Sequence, residues 1–460
     1  MSILRGFSAL LIILGLAFMG PFIAAVLGGE ETAGAYLFGA IVSLTTGGGA
    51  FAASIGRRPP SDFRGVFLII LLWWAVIPAF AAIPFAMTTL NFSDAYFEAV
   101  ASLTTTGGWL SPTAALESRA GILWRAELQW LGGLASLAIA AAIFIRPAFI
   151  GIDTLLPPFS RGEKGSLLRP LRNAATAFLS VYAFITFAAF CVLALTGAPA
   201  FDAAIMAMSV VASGGFIPHE AGIAGYGPNV TFGLFPFILL SAVNFVLIAR
   251  VFRGTKEKVR DMETVAFLFI VLGVSVLFWV LAGAGHVELV APQLFNAASM
   301  LSTNGYIIGE APPLAVLLVA TIIGGAAVST AGGFKILRWL VIMRRANEEL
   351  RRLVIPSGVF GQSRVANEFG VWIHFLVFTL VLAALLAIIA FDGHNFDLAV
   401  ATAVATVSNA GPLIYLAQGG AEGYAVFSEP LRWVLAAAMI LGRLEAAVAL
   451  ALISRAFWRS

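Results

Sequence analysis

The chain has 460 residues, 60% hydrophobic and 11% charged, with a mean hydropathy of +0.97 and a formal net charge of +3. A soluble globular protein carries about 25% charged residues, so the composition excludes an ordinary water-soluble domain and points to a lipid bilayer; no nucleic-acid partner is expected. One cysteine, Cys191, and four scattered histidines exclude a disulfide framework and a thiolate metal site.

A membrane-spanning helix needs about 20 apolar residues. In chain order the sequence predicts spans at 6–28, 34–56, 65–90, 120–146, 173–197, 229–252, 262–284, 312–343, 368–391 and 430–455. The first is longer than a signal-peptide core and is followed by more membrane, so it reads as a retained helix. The segment 312–343 is too long for one regular span and contains GGAAVSTAGG, where a break is expected.

Basic residues collect on the cytoplasmic side. They cluster after the second span (Arg57, Arg58, Arg64), the fourth (Arg161, Lys164, Arg169, Arg172), the sixth (Arg250, Arg253, Lys256, Lys258, Arg260) and the eighth (Arg344, Arg345, Arg351, Arg352), and Arg455 and Arg459 end the chain. Both termini are therefore expected in the cytoplasm. The alternate connections carry Asp94, Glu98 and Glu117, then Asp202 and Glu220, then Glu288 and Glu310, then Asp392, Asp397 and Glu422, and face outside.

Those four outer connections repeat. They read SDAYFEAVASLTTTGG (93–108), FDAAIMAMSVVASGG (201–215), LFNAASMLSTNG (294–305) and FDLAVATAVATVSNAG (396–411), each an apolar run closed by a polar string ending in glycine. Aligned on Gly107, Gly215, Gly305 and Gly411, they recur at intervals of 108, 90 and 106 residues. Each lies between two spans, giving helix, short segment, helix four times after a two-helix preamble, and such repetition marks transporter architecture. The boundaries are 1–60 for the preamble and 61–160, 161–258, 259–352 and 353–460 for the repeats. The fold class expected is an all-α polytopic membrane protein, pseudo-symmetric about a central cation pore.

Ten to thirteen residues of helix cover about 15–20 Å, half the hydrocarbon thickness, so each segment enters from outside and turns back. Asp94, Asp202 and Asp397 suit helix starts, and Pro292 with Gln293 opens the third. The partly negative helix ends then meet near the membrane middle, where they stabilise a cation. Non-helical backbone survives there only inside protein or along a watery cavity. Glycine allows φ > 0, which lets carbonyls turn inward and replace an ion's hydration shell.

With these residues in hand the chain resembles the TrkH/KtrB superfamily of potassium transporters, closest to the TrkH branch. The resemblance rests on LWRAELQWLGG (123–133), FDAAIMAMSVVASGGFIPHE (201–220), IIGGAAVSTAGGFKILR (322–338), SNAGP (408–412) and LGRLE (441–445), in that order along nearly the whole chain. It implies a potassium filter built from Thr104, Thr105, Thr106 and Gly107; Ala212, Ser213, Gly214 and Gly215; Ser302, Thr303, Asn304 and Gly305; and Ser408, Asn409, Ala410 and Gly411. Some plant relatives carry serine at the first of these glycines and favour sodium; glycine at all four implies potassium. The resemblance also implies a homodimer with one pore per chain, a separate cytosolic nucleotide-binding regulatory subunit, and residence in a bacterial cytoplasmic (inner) membrane. Potassium is then the transported substrate, and no covalent cofactor is expected. The branch usually has glycine where this chain has Val328.

The broken segment is read as a movable gate under the filter, with Gly324, Gly325, Ser329, Thr330, Gly332, Gly333 and Lys335 as its residues. Arg443 lies midway along 430–455, where a charge usually faces a polar interior; it is assigned to the pore, against a structural pair with Glu445. Arg125 and Glu127 read as an interfacial salt bridge or anchor at the outer boundary, Asn244 as an interhelical hydrogen bond and Cys191 as packing. Two transport modes stay open: channel-like uptake, and symport coupled to protons or sodium, for which Glu445 is the best mid-span carboxylate. No HExxH motif, aspartate pair or nucleophile–base pair supports an enzyme.

Overall fold

The computed structural model describes residues 3–56, 63–88, 90–111, 116–144, 168–254, 261–283, 286–354, 368–418 and 423–444. Several residues that set the expected topology lie outside these, Arg57, Arg58, Arg161, Lys164, Lys256, Lys258, Arg260, Glu422, Arg455 and Arg459, as does Glu445, the mid-span carboxylate considered for symport. The described residues form helices and turns, with no strand among them.

The preamble is α1 (Ile3–Ala17), α2 (Met19–Gly28) and α3 (Ala33–Ala53). The expected span 65–90 is jointed into α4 (Phe63–Ala75), α5 (Ile77–Ala81) and α6 (Ile83–Thr88). Pro78 and Pro84 are second in α5 and α6, and a proline lacks the N–H that would continue the preceding turn. The short α7 (Phe92–Leu103) and the long α8 (Arg119–Phe144) complete the first unit. The second contains α9 (Leu168–Leu195), the short α10 (Ala200–Val211), α11 (Gly227–Ala242) and α12 (Phe245–Phe252). In the third are α13 (Met262–Leu281), the short α14 (Val290–Leu301), α15 (Leu314–Ile323) and α16 (Ile336–Val354). The fourth has α17 (Glu368–Phe391), the short α18 (Phe396–Val407), the one-turn α19 (Leu413–Ala417) and α20 (Glu429–Leu444).

Seven helical segments among the described residues are long and apolar enough to cross a membrane. The three other expected spans are α8, which carries Arg119, Arg125 and Glu127 in its N-terminal half; α15–α16, interrupted where the glycines stand; and α20, described only to Leu444. The span expected at 229–252 is not continuous: it breaks at Val243–Asn244. Asn244 turns its side-chain oxygen to the Val246 N–H (3.0 Å) and so caps α12. The carbonyls freed at Ser241 and Ala242 accept instead from Thr330 N–H (3.2 Å) and Ala326 N–H (2.8 Å), amides of the interrupted third unit.

Burial follows the expected layering. The C-terminal halves of α7, α14 and α18 are buried throughout and that of α10 is buried except at Met208, whereas α13 and α17 leave apolar side chains such as Phe269 and Leu376 exposed, as a lipid-facing surface requires. Close approach at the centre depends on small residues. A Cβ on Gly132 of α8 would collide with the Leu103 carbonyl at the end of α7, and one on Gly133 would lie 3.0 Å from Ala212 at the end of α10. These two glycines close the LWRAELQWLGG motif.

Candidate functional site

The four short helices end in one way. Each C-cap (Thr104, Ala212, Ser302, Ser408) is followed by a left-handed residue: Thr105 at φ 53°, Ser213 at 56°, Thr303 at 59° and Asn409 at 51°. The next amide reaches back five residues: Thr106 to Ala101 (2.9 Å), Gly214 to Ser209 (2.8 Å), Asn304 to Ser299 (3.0 Å) and Ala410 to Ala405 (2.8 Å). With the left-handed residue bonding three back, as Thr105 does to Ser102 (2.9 Å), this is a Schellman motif repeated four times. Glycine ordinarily fills the left-handed position; threonine, serine and asparagine fill it here. The only other non-glycine residue at positive φ among the described residues is Lys335, at 80°. All five backbone outliers therefore fall in the segments expected to form the filter and gate, and such strain concentrates at functional sites.

The glycines that follow close a ring. A Cβ on Gly107 would collide with the Gly214 carbonyl, and one on Gly215 with the Asn304 carbonyl. One on Gly305 would sit 2.8 Å from Pro412, and one on Gly411 would sit 2.6 Å from the Thr106 oxygen. Each loop thus presses its glycine on the next loop, in order, until the fourth returns to the first. Gly107, Gly215 and Gly305 have φ of 70°, 70° and 75°. Gly411 differs from the sequence expectation: its φ is not positive, and it is glycine for space, with its N–H donating to Thr106 O at 2.6 Å.

The interrupted segment Gly324–Lys335 lies against this ring. Thr330 Oγ1 is 2.9 Å from Ser213 Oγ and donates to Val211 O (2.9 Å). Gly332 N–H donates to Thr303 Oγ1 (2.8 Å), and Gly333 N–H to Ser408 O (3.1 Å). Arg443 completes the set: its guanidinium donates to Thr104 O (2.5 Å), to Thr105 Oγ1 and to Thr330 O (2.8 Å). One arginine on α20 therefore spans the first loop and the interrupted segment. The other expected gate residues pack or bond within the segment and against α11. Gly324 folds against Gly332 and Gly333, Gly325 packs on Ala242 and Ala331, Ser329 Oγ bonds Ala326 O (2.6 Å), and Lys335 Nζ bonds Ala331 O. Val328 is buried, and its carbonyl accepts from Phe245 N–H (2.8 Å) at the start of α12. Beside it a cavity opens between this segment, α8, α16, α17, α18 and α20, where Lys335, Arg338, His374, Arg443, Ser136 and Ser329 supply the polar lining.

Other side chains brace the loops from behind. Gln129 of α8, fully buried, donates to Gly214 O at 3.0 Å. Glu98 of α7 accepts from Leu110 N–H (2.8 Å) and pairs with Arg125 at 2.9 Å, both buried. Arg125 also lies over the Phe85 ring (4.7 Å), and Trp109 N–H donates to Tyr415 Oη (2.8 Å). Arg125 thus forms a salt bridge, as expected, but a buried one with Glu98 in the packed interior and not one at a boundary. The signal for Glu98 was available: it lies seven residues before Thr105, within the buried half of a short helix. Among the described residues no group of three His, Cys, Asp or Glu is placed to hold a metal ion.

Comparison with known proteins places the chain in a family. Residues 38–456 match the family described as "TrkH: Cation transport protein". The chain is 32% identical over 422 residues to the Trk system potassium uptake protein TrkH of Salmonella typhimurium, covering 86% of each chain. It is 29% identical to the Trk system potassium uptake protein TrkI of Halomonas elongata, covering 99% of this chain and 96% of that one. The crystal structure of the potassium transporter TrkH from Vibrio parahaemolyticus superimposes with a TM-score of 0.87 at 26% identity, covering 100% of this chain and 99% of the other. With its helical repeats, its apolar spans and this match along most of its length, the chain belongs to the TrkH family of cation transport proteins, multi-pass membrane transporters and not enzymes.

Proposed function

We propose that the chain carries potassium into the cell across the cytoplasmic membrane, through a filter formed by the four Schellman-ended loops. One observation carries this reading: four short helices end on strained, buried loops that close on each other in sequence around one centre. Helix C-termini attract a cation, and loop carbonyls can replace its water. The names of the relatives supply the ion. Gly324–Lys335 acts as the gate, because its amides and hydroxyls bond three of the four loops while Arg443 ties it to the first. A homodimer, a separate nucleotide-binding regulator and cytoplasmic termini complete the proposal; the relatives' designation as parts of a Trk system supports a partner protein.

The test is potassium or rubidium uptake in a host stripped of its own uptake systems. The wild-type chain restores uptake, and Gly107→Ser lowers it and weakens preference for potassium over sodium. No uptake by the wild type, or an unchanged preference in the variant, overturns the filter assignment. Coupled symport is the second reading, favoured by Glu127, whose Oε2 is buried without a hydrogen-bond partner, and by the buried Glu263. Potassium movement against its own gradient, driven by a proton or sodium gradient in vesicles, decides for it.

A further inference from the structure

Glu263 stands in the first turn of α13 and is 4% exposed. A carboxylate at such a place is expensive unless several donors satisfy it. Its donors are drawn from three separate elements. Oε1 accepts from the Ala327 N–H at 2.5 Å, near the start of the interrupted segment. Oε2 accepts from Asn244 Nδ2 at 3.4 Å, at the break between α11 and α12. The Leu337 amide, in the first turn of α16, also bonds the carboxylate, and the Lys335 ammonium acts on it electrostatically. A helix N-terminus favours a negative charge, so the start of α16 is a natural seat for this group.

We propose that Glu263 is a positioning residue that latches the gate: one carboxylate pins the segment Gly324–Lys335 at both of its ends and joins it to the break in the neighbouring helix. The inference rests on the gate reading above and names the group that holds the gate in its seated position. Arg443 fastens the same segment to the loops at Thr330. Glu263 fastens it to α12, α13 and α16. Any displacement that frees the loops from Thr330, Gly332 and Gly333 therefore works against the Ala327–Glu263 bond or draws α13 with it.

The experiment uses the full chain in planar bilayers, with potassium on one side and sodium on the other. Four proteins are compared: wild type, E263A, E263Q and a deletion of Gly325–Gly332. The deletion raises open probability. E263A raises it by about tenfold, the scale of one lost charge-assisted hydrogen bond, with the potassium-to-sodium permeability ratio unchanged. E263Q keeps an acceptor oxygen for Ala327 and falls between E263A and wild type; if E263A does not fold, E263Q alone decides. Wild-type open probability in the glutamate variants, beside a raised value in the deletion, overturns the latch and leaves the gate standing. A deletion without effect overturns both. A changed permeability ratio in E263A or E263Q also overturns the latch, because the residue then acts through the shape of the filter.

Discussion

The string SLTTGGG at Ser43–Gly49 stays helical throughout, inside α3, whereas SLTTTGG at Ser102–Gly108 ends α7 and turns. In the first, Thr45 returns its hydroxyl to the Ile41 carbonyl (2.7 Å), and Gly47 lets α1 approach, with Leu11 3.1 Å from where a Cβ would be. Gly48 and Gly49 face open space. In the second, every residue is buried, Thr105 is left-handed, and Gly107 abuts the next loop. A chain that continues through the bilayer meets each backbone carbonyl with its own helix. A chain that stops halfway leaves carbonyls at its end, and only a partner of opposite polarity makes that arrangement worthwhile. Composition is shared; the direction of the chain after the glycines separates the two strings.

The contrast can be broken experimentally. Glu98→Gln removes one partner of the buried ion pair behind the second string, and losing half of such a pair costs about 3–5 kcal/mol, read as a lowered melting temperature in detergent. Nothing comparable stands behind the first string among the described residues. Gly107→Ser adds strain of about 1–3 kcal/mol from the backbone conformation alone, and potassium uptake falls tenfold or more (roughly) through that strain and the collision with the Gly214 carbonyl. Gly411→Ala tests space without strain, since φ is not positive there; uptake falls less than with Gly107→Ser and the potassium preference shifts. Gly47→Leu overpacks the contact of α3 with α1 and costs about 1–3 kcal/mol in melting stability with ion preference intact. Gly48→Ala, in a helix facing open space, stabilises by about 0.5–1 kcal/mol and leaves uptake unchanged. If Gly48→Ala and Gly107→Ser produced matching losses of uptake, the distinction between the strings would fail.

Much of this was legible before any coordinates. The four outer strings stood out because the repeat placed polar residues at a matched depth, and Arg443 stood out because a charge deep in an apolar run needs a polar neighbour. Three features were not legible. Thr105, Ser213 and Thr303 carry no left-handed signature, because that conformation is imposed by the ring and not chosen by the residue; of the four, only Asn409 is a residue that favours it. The break at Asn244 hides in an apolar run, since it forms only when Ala326 and Thr330 arrive to take the carbonyls of Ala242 and Ser241. Glu263 sits one residue into an apolar helix beside Asp261, where an acid reads as an ordinary first-turn residue; its three donors come from elements 19, 64 and more residues distant.

The oxygens occupied from below have one more consequence. Thr104 O is held by Arg443, Val211 O by Thr330 and Ser408 O by Gly333. These belong to the helix ends where an arriving cation gains most. In the proposed filter and gate, guanidinium, hydroxyl and amide would stand there as surrogates for the ion, so that cargo and closure would compete for the same ligands. Two occupants of one set of oxygens must each weaken the other by the same factor. On that proposal, ion concentration near the centre becomes a term in the equilibrium of the barrier itself.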